Sequence, residues 1–114
     1  NDTIYGDDGN DYLEGDVGTD VLRPEEGYDY LKGGGDADSF LFDQTGFKQD
    51  AIVDFTAGVD KLVVSASIFA SFADLIASST FDGTNSLLNA GQGDIIVLAG
   101  FNFANLTAGD VIIF

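Results

Sequence analysis

The sequence predicts an all-β protein: a parallel β-roll followed by a β-rich carboxyl-terminal cap with one short helix. Three observations carry this. Five aspartates stand nine residues apart, at Asp2, Asp11, Asp20, Asp29 and Asp38. An apolar residue follows each by two positions, at Ile4, Leu13, Leu22, Leu31 and Phe40. A glycine precedes each of the middle three by two positions, at Gly9, Gly18 and Gly27. A fixed period in three properties at once marks one small structural unit stacked on itself.

In that register the units are 1–5, 6–14, 15–23, 24–32 and 33–41. Each opens with a glycine-rich acidic half, which predicts a turn, because Gly9, Gly18 and Gly27 suit positive φ and Gly6, Gly15 and Gly33 allow close backbone approach. Each closes with a three-residue strand, at 3–5, 12–14, 21–23, 30–32 and 39–41, whose middle residue points inward. A strand of three residues buries nothing alone. Stacked about 4.8 Å apart, such strands make two parallel sheets with a ladder of apolar side chains between them.

Beyond residue 43 the period disappears and the composition shifts: eight of the ten phenylalanines lie in 44–114. Residues 51–55 and 61–64 predict strands separated by a turn at 56–60. Ser71 followed by Asp74 resembles a capping box, and Ile68, Phe72, Leu75 and Ile76 share one face of the short helix it would open. Asp82 and Gly83 mark a turn. Residues 87–88, 95–98 and 111–114 predict further strands. The division is therefore 1–43 as the repeat roll and 44–114 as a cap, in one continuous domain, because an open solenoid end exposes strand edges and apolar rungs that need cover.

Composition limits the chemistry. The 114 residues include no cysteine, histidine, methionine or tryptophan. Nucleophilic catalysis built on histidine is excluded within this chain, as are zinc, copper and haem sites built on imidazole or thiolate. No catalytic residue is assigned, and the chain is expected to be a non-catalytic part of a larger protein. The net charge is −16, concentrated at the amino end, where residues 1–43 hold 13 acids against Arg23 and Lys32. Such a surface repels nucleic acid and anionic membranes. No apolar stretch approaches the roughly 20 residues of a membrane span.

The charge pattern itself points to a ligand. Two nonapeptides complete one coil, so Asp2 stacks on Asp20, Asp11 on Asp29, and Asp20 on Asp38. One strand spacing apart, at an effective dielectric near 20, two carboxylates repel by roughly 3.5 kcal/mol. A cation between them reverses the sign, and turn carbonyls complete an all-oxygen shell of the kind calcium prefers. Asp2, Asp11, Asp20, Asp29 and Asp38 are the candidate metal ligands, for about two to three calcium ions. Asp7, Asp8, Asp16, Glu25 and Glu26 are expected to be mainly solvated, with Asp7, Asp16 and Glu25 as secondary candidates for metal contact.

These residues resemble the calcium-binding nonapeptide of the RTX (hemolysin-type) family, G-G-x-G-x-D-x-U-x. Residues 6–14 are similar to it with one glycine replaced. Residues 33–43 and 50–64 resemble the segment after the repeats in serralysin-type proteases and other type I-secreted proteins, and 110–114 resembles their carboxyl end. Pro24 and Glu25 depart from the pattern, as does Asp36. The resemblance implies additional carbonyl ligands from Gly15, Val17, Gly33 and Gly35. It implies a secreted, extracellular module that folds on calcium, serves an upstream domain of a parent protein and engages a type I secretion apparatus. It also leaves two alternatives open: an alginate-binding module of a secreted epimerase, and the terminal segment of an adhesin.

Overall fold

A computed structural model describes residues 2–114; Asn1, with which the first predicted unit begins, lies outside the described residues. The strands are β1 (Thr3–Tyr5), β2 (Tyr12–Glu14), β3 (Val21–Arg23), β4 (Tyr30–Lys32), β5 (Ser39–Phe42), β6 (Gln49–Ile52), β7 (Lys61–Val64), β8 (Ser79–Phe81), β9 (Ser86–Gly91), β10 (Asp94–Leu98) and β11 (Val111–Ile113), with one helix, α1 (Phe72–Ala77). They form two sheets. One runs β1-β3-β5-β7-β11 and the other β2-β4-β6-β10-β9-β8. Odd and even units alternate between the sheets, as two nonapeptides per coil require.

Every pairing in the first sheet is parallel. In the second, β2, β4, β6 and β10 are parallel, and β10, β9 and β8 are joined antiparallel. Alternation along each three-residue strand sends its middle side chain inward. One row of rungs reads Ile4, Leu22, Phe40, Leu62 and Val111, and the other Leu13, Leu31, Ile52 and Leu98. Except for the part-buried Ile4 at the amino end, all of these are buried in a single core. Outward positions carry polar and aromatic residues. Tyr12 and Tyr30 meet edge to face with ring centroids 5.3 Å apart, and Arg23 lies over the ring of Tyr5.

The roll does not stop where the nonapeptide spacing stops. β6 and β7 flank the predicted turn at 56–60 but do not pair with each other; each extends a different sheet, β6 beside β4 and β7 beside β5. β10 and β11 add a further rung to each. At β6 and β7 the pairing of an aspartate with an apolar rung two positions on persists, at Asp50 and Ile52 and at Asp60 and Leu62, and only the turn lengths change. The rest of the carboxyl-terminal region comprises α1, the antiparallel β8 and β9 beside β10, and two single-turn 3-10 helices at Phe103–Asn105 and Ala108–Asp110.

Its local chemistry follows the sequence. The Ser71 hydroxyl caps α1 by accepting the Asp74 N–H at 3.1 Å. Leu75 and Ile68 are buried while Phe72 and Ile76 pack on the core, so the predicted helix face is the one that docks. Asp82 Oδ1 accepts the N–H groups of Thr84 and Asn85, closing the β8–β9 turn. Among the described residues no helix is long and apolar enough to cross a membrane.

Leu62, with no exposed surface, lies between Phe40 of the repeats and Val111 of the carboxyl end. Leu62→Ala is expected to cost about 2–5 kcal/mol. If the core is shared, urea unfolding in saturating calcium stays a single transition with a lowered midpoint. A second transition, with the repeat strands unaffected, would show that the two parts fold apart.

Candidate metal centre

The stacking of coils rests on the aspartates. Their backbone carbonyls accept the N–H of the residue that follows the aspartate one coil on, from Val21 to Asp2, Tyr30 to Asp11, Ser39 to Asp20, Ala51 to Asp29 and Lys61 to Asp38, all at 2.8–2.9 Å. Their own N–H groups donate to the carboxylate of the next aspartate in the column. Asp2 donates to Asp20 Oδ1 at 2.7 Å, Asp20 to Asp38 Oδ1 at 2.9 Å, and Asp38 to Asp60 Oδ1 at 2.9 Å. In the other column Asp11 donates to Asp29 Oδ1 at 2.8 Å and Asp29 to Asp50 Oδ1 at 2.9 Å. The three predicted pairs are thus brought together, and two more, Asp29 with Asp50 and Asp38 with Asp60, extend them.

This use of Oδ1 leaves Oδ2. The Oδ2 atoms of Asp11, Asp29, Asp38 and Asp50 are buried with no hydrogen-bond partner. Buried polar atoms are nearly always satisfied, and a carboxylate oxygen left bare in a low dielectric is costly. Asp2 is exposed and Asp11 half-buried, but Asp20, Asp29, Asp38 and Asp50 are buried once a coil covers them on both sides. Burial raises the carboxyl pKa of Asp29 and Asp38, and neighbouring aspartates add to it against the opposing N–H bonds. Asp50 is pushed to about 8, first by burial and then by the charges of Asp29 and Asp94.

The turns bring more oxygen to the same place. A methyl group added at Gly15 would sit 2.6 Å from the Gly33 carbonyl oxygen and 2.7 Å from Asp20 Oδ2. At Gly6 it would meet the Pro24 carbonyl oxygen at 2.5 Å and Asp11 Oδ2 at 3.3 Å, and at Gly33 it would meet Asp38 Oδ2. Glycine is required at Gly15 and Gly33 because a side chain would fill an oxygen-lined cradle. A set of carboxylate and carbonyl oxygens with no nitrogen or sulfur fits calcium. Among the described residues no three acidic side chains converge on one point, so any shell must combine a pair of aspartates with backbone oxygens.

The remaining predicted positions divide. Gly15 and Gly33 line the cradle, and the Gly35 N–H donates to the Asp16 carbonyl at 2.9 Å, so turn 33–38 hangs directly from turn 15–20. The Val17 side chain is 82% exposed, leaving only its backbone facing the turn. Asp7, Asp16 and Glu25 occupy the second turn position at φ of 61°, 66° and 67°, the left-handed region that disfavours side chains. Glu25 bonds to Asp7, and that contact, together with desolvation, raises its carboxyl pKa against the opposing charge of Arg23. Arg23 pairs with Asp43 and lies 3.6 Å from Glu25. Asp36, at φ 68°, accepts the Gly18 N–H with Oδ2 at 3.0 Å. The Pro24-Glu25 turn is therefore held in register despite its departure from the glycine pattern.

The roll also contains carboxylates that need no ion. Asp54 accepts from Gly33 and Gly34 with one oxygen each, at 3.0 and 2.8 Å. Asp94 accepts from Gly46 and Lys48, at 2.7 and 2.9 Å. Asp110 accepts from Gly58 at 2.8 Å and from Thr107 at 2.9 Å. For Asp110, burial favours the neutral form, but these N–H donors, the Thr107 hydroxyl and Lys61 outweigh it and hold the carboxyl below its usual range. The nine-residue period does not reach these residues; Asp94 and Asp110 carry only the shorter aspartate-x-apolar signal.

The raised carboxyls set the behaviour of the metal-free protein. Where a folded-state pKa exceeds the unfolded one, the stability contribution is complete below the unfolded value and is lost as pH rises through the folded value. For Asp50, with the folded value at about 8, the loss between pH 5 and 8 is on the order of 3 kcal/mol. In chelator the folded fraction is expected to be larger at pH 5 than at pH 8. A urea midpoint that holds or increases over that range would contradict the burial of unpaired carboxylates.

No protein-family model matches the chain, and no curated protein matches it. Among the solved structures that resemble it are the following two. Extracellular lipase LipA from Serratia marcescens superposes with a TM-score of 0.74 and 26% identity, over 96% of this chain and 20% of the lipase chain. The AlgE6R3 subunit of the mannuronan C5-epimerase from Azotobacter vinelandii superposes with a TM-score of 0.66 and 28% identity, over 97% of this chain and 77% of that one. The chain thus spans a fifth of the lipase and about three quarters of the epimerase subunit, and shares with both an all-β roll fold.

Proposed function

We propose that this chain is a non-catalytic calcium-binding module of a larger secreted protein, one that folds when it meets calcium outside the cell. The observation that carries the reading is the buried, unsatisfied second oxygen of Asp11, Asp29, Asp38 and Asp50, within two columns of stacked aspartates lined by turn carbonyls. Asp2, Asp11, Asp20, Asp29 and Asp38, with carbonyls of Gly15, Val17, Gly33 and Gly35, are the assigned ligands. Calcium supplies a double positive charge and a preference for six or more oxygens.

The chain's own residues make folding conditional. Each stacked carboxylate pair repels, and each covered aspartate loses its hydration, so without counter-charge the coils resist closing. At a Kd near 10⁻⁴ M, 1 mM calcium adds roughly 1.4 kcal/mol per site. Summed over several sites, that tips a marginal domain from open to folded. Low calcium inside the cell then keeps the chain loose enough for a type I secretion channel, and higher calcium outside closes it. The likeness to part of an extracellular lipase supports an exported parent with a separate upstream domain.

A second reading, an acidic-polysaccharide-binding module, is favoured by the likeness to an epimerase subunit. The exposed pair Tyr12 and Tyr30 lies on the outer face of the second sheet, with Lys32 one rung along the same strand. Calorimetry with mannuronan oligomers at fixed calcium decides it: heat of binding that disappears in a Tyr30→Ala variant supports the reading, and no heat at millimolar oligomer removes it.

For the first reading, excess chelator at neutral pH is expected to abolish most of the far-UV β signal, and calcium to restore it. Asp20→Ala, which removes a ligand shared by two pairs, should raise the calcium midpoint several-fold more than Asp7→Ala. A spectrum indifferent to chelator would refute calcium-dependent folding, and equal midpoints for the two variants would refute the ligand assignment.

A further inference from the structure

We infer that a calcium site lies between Asp29 and Asp50, in a sixth repeat unit that the nine-residue period does not mark. The inference deepens the calcium reading above and rests on it. Aligned on Asp50, residues 45–53 read Thr-Gly-Phe-Lys-Gln-Asp-Ala-Ile-Val. This unit keeps the aspartate at position six and the buried apolar residue, Ile52, at position eight. Its backbone keeps the repeat's turn as well. Gly46 and Lys48, at positions two and four, have φ of 85° and 65°, as Gly34 and Asp36 have 96° and 68° in the preceding unit. The turn survives although lysine replaces the glycine of position four.

The side chains meet the same test as the recognisable repeats. Asp29 is 4% exposed and Asp50 not at all; Asp50 Oδ1 accepts the Asp29 N–H, and the Oδ2 atoms of both are buried with no partner. The one lysine in the unit is turned away, its Nζ 4.0 Å from Glu26. Two bare, buried carboxylate oxygens one coil apart call for a compact cation. The backbone carbonyls of turns 24–29 and 45–50 are the donors available to complete an oxygen shell of the kind calcium takes.

The other column ends differently. Asp60 stacks below Asp38 in the same way, but its second oxygen accepts the Thr56 N–H at 2.9 Å. The turn above it is closed by both oxygens of Asp54. Asp60 therefore lacks the bare second oxygen that Asp50 keeps, and that column is expected to hold no ion beyond its repeat pairs. The two columns differ in length by chemistry that glycine spacing does not reveal.

The test is to count ions by equilibrium dialysis of wild type, Asp50→Asn, Asp50→Ser and Asp60→Asn in saturating calcium, with circular dichroism reporting the fold. Both Asp50 variants are expected to hold one ion fewer than wild type, and Asp60→Asn the same number. An unchanged count in the Asp50 variants, or an equal loss in Asp60→Asn, would overturn the inference. A wild type that binds no calcium would instead refute the underlying reading. Should neither Asp50 variant fold, anomalous diffraction from wild-type crystals grown in calcium decides. A peak between Asp29 and Asp50 supports the site; density no heavier than water there, with a peak between Asp20 and Asp38, overturns it.

Discussion

The structure depends on one contact repeated along two columns: the N–H of an aspartate donated to the carboxylate of the aspartate one coil below. It sets the rise between coils, fixes the register of each strand and buries the charge that the coil carries. With one oxygen committed to this bond, the other is left bare inside the roll at Asp11, Asp29, Asp38 and Asp50. Structure and ligand demand thus come from the same side chain. An Asn ladder could accept the same N–H groups, but it would leave no charged oxygen beside the neighbouring turn's carbonyls.

The two rows of apolar rungs are the complement of that contact. Each strand is too short to hold its place by hydrogen bonding alone, so burial of residues such as Leu22, Leu31, Phe40 and Leu62 supplies the non-directional part of the stability. Burial and charge are coupled: closing the rungs forces the aspartates out of water. A chain of this kind gains its hydrophobic energy only in the state that also needs counter-charge. Strain in the turns points the same way, with Asp7, Asp16 and Glu25 held at positive φ where glycine would be easier. Glu25 is held beside Asp7 and Arg23, while Asp7 and Asp16 face solvent.

Much of this was legible in the residues. Aspartate, glycine and apolar positions at one period give two sheets, an inward ladder and stacked carboxylates, and the geometry reproduces all three. Helix α1 was visible in Ser71, Asp74 and the spacing of Leu75 and Ile76. What was not legible was the reach of the roll. Spacing between successive column aspartates lengthens to 12 at Asp50 and 10 at Asp60, and a period-based reading stops there. The backbone tolerates the insertions because they fall in turns at the edge of the roll, while β6 and β7 keep their rungs. Lys48 in a left-handed turn hides the sixth unit, since lysine carries no sequence signal for positive φ. The closing carboxylates Asp54, Asp94 and Asp110 were equally hidden, because each takes a backbone N–H 20 to 52 residues away. The aspartate-x-apolar pair is the signal that survives, and it is too short to stand out alone.

The central claim is that divalent ions sit between stacked aspartates of neighbouring coils. Crystals grown in calcium and measured at long wavelength test it without any variant. The account predicts anomalous peaks between Asp20 and Asp38 and between Asp11 and Asp29, each surrounded by carboxylate and backbone oxygens. Density no heavier than water at those positions, in crystals that contain the roll intact, would contradict it.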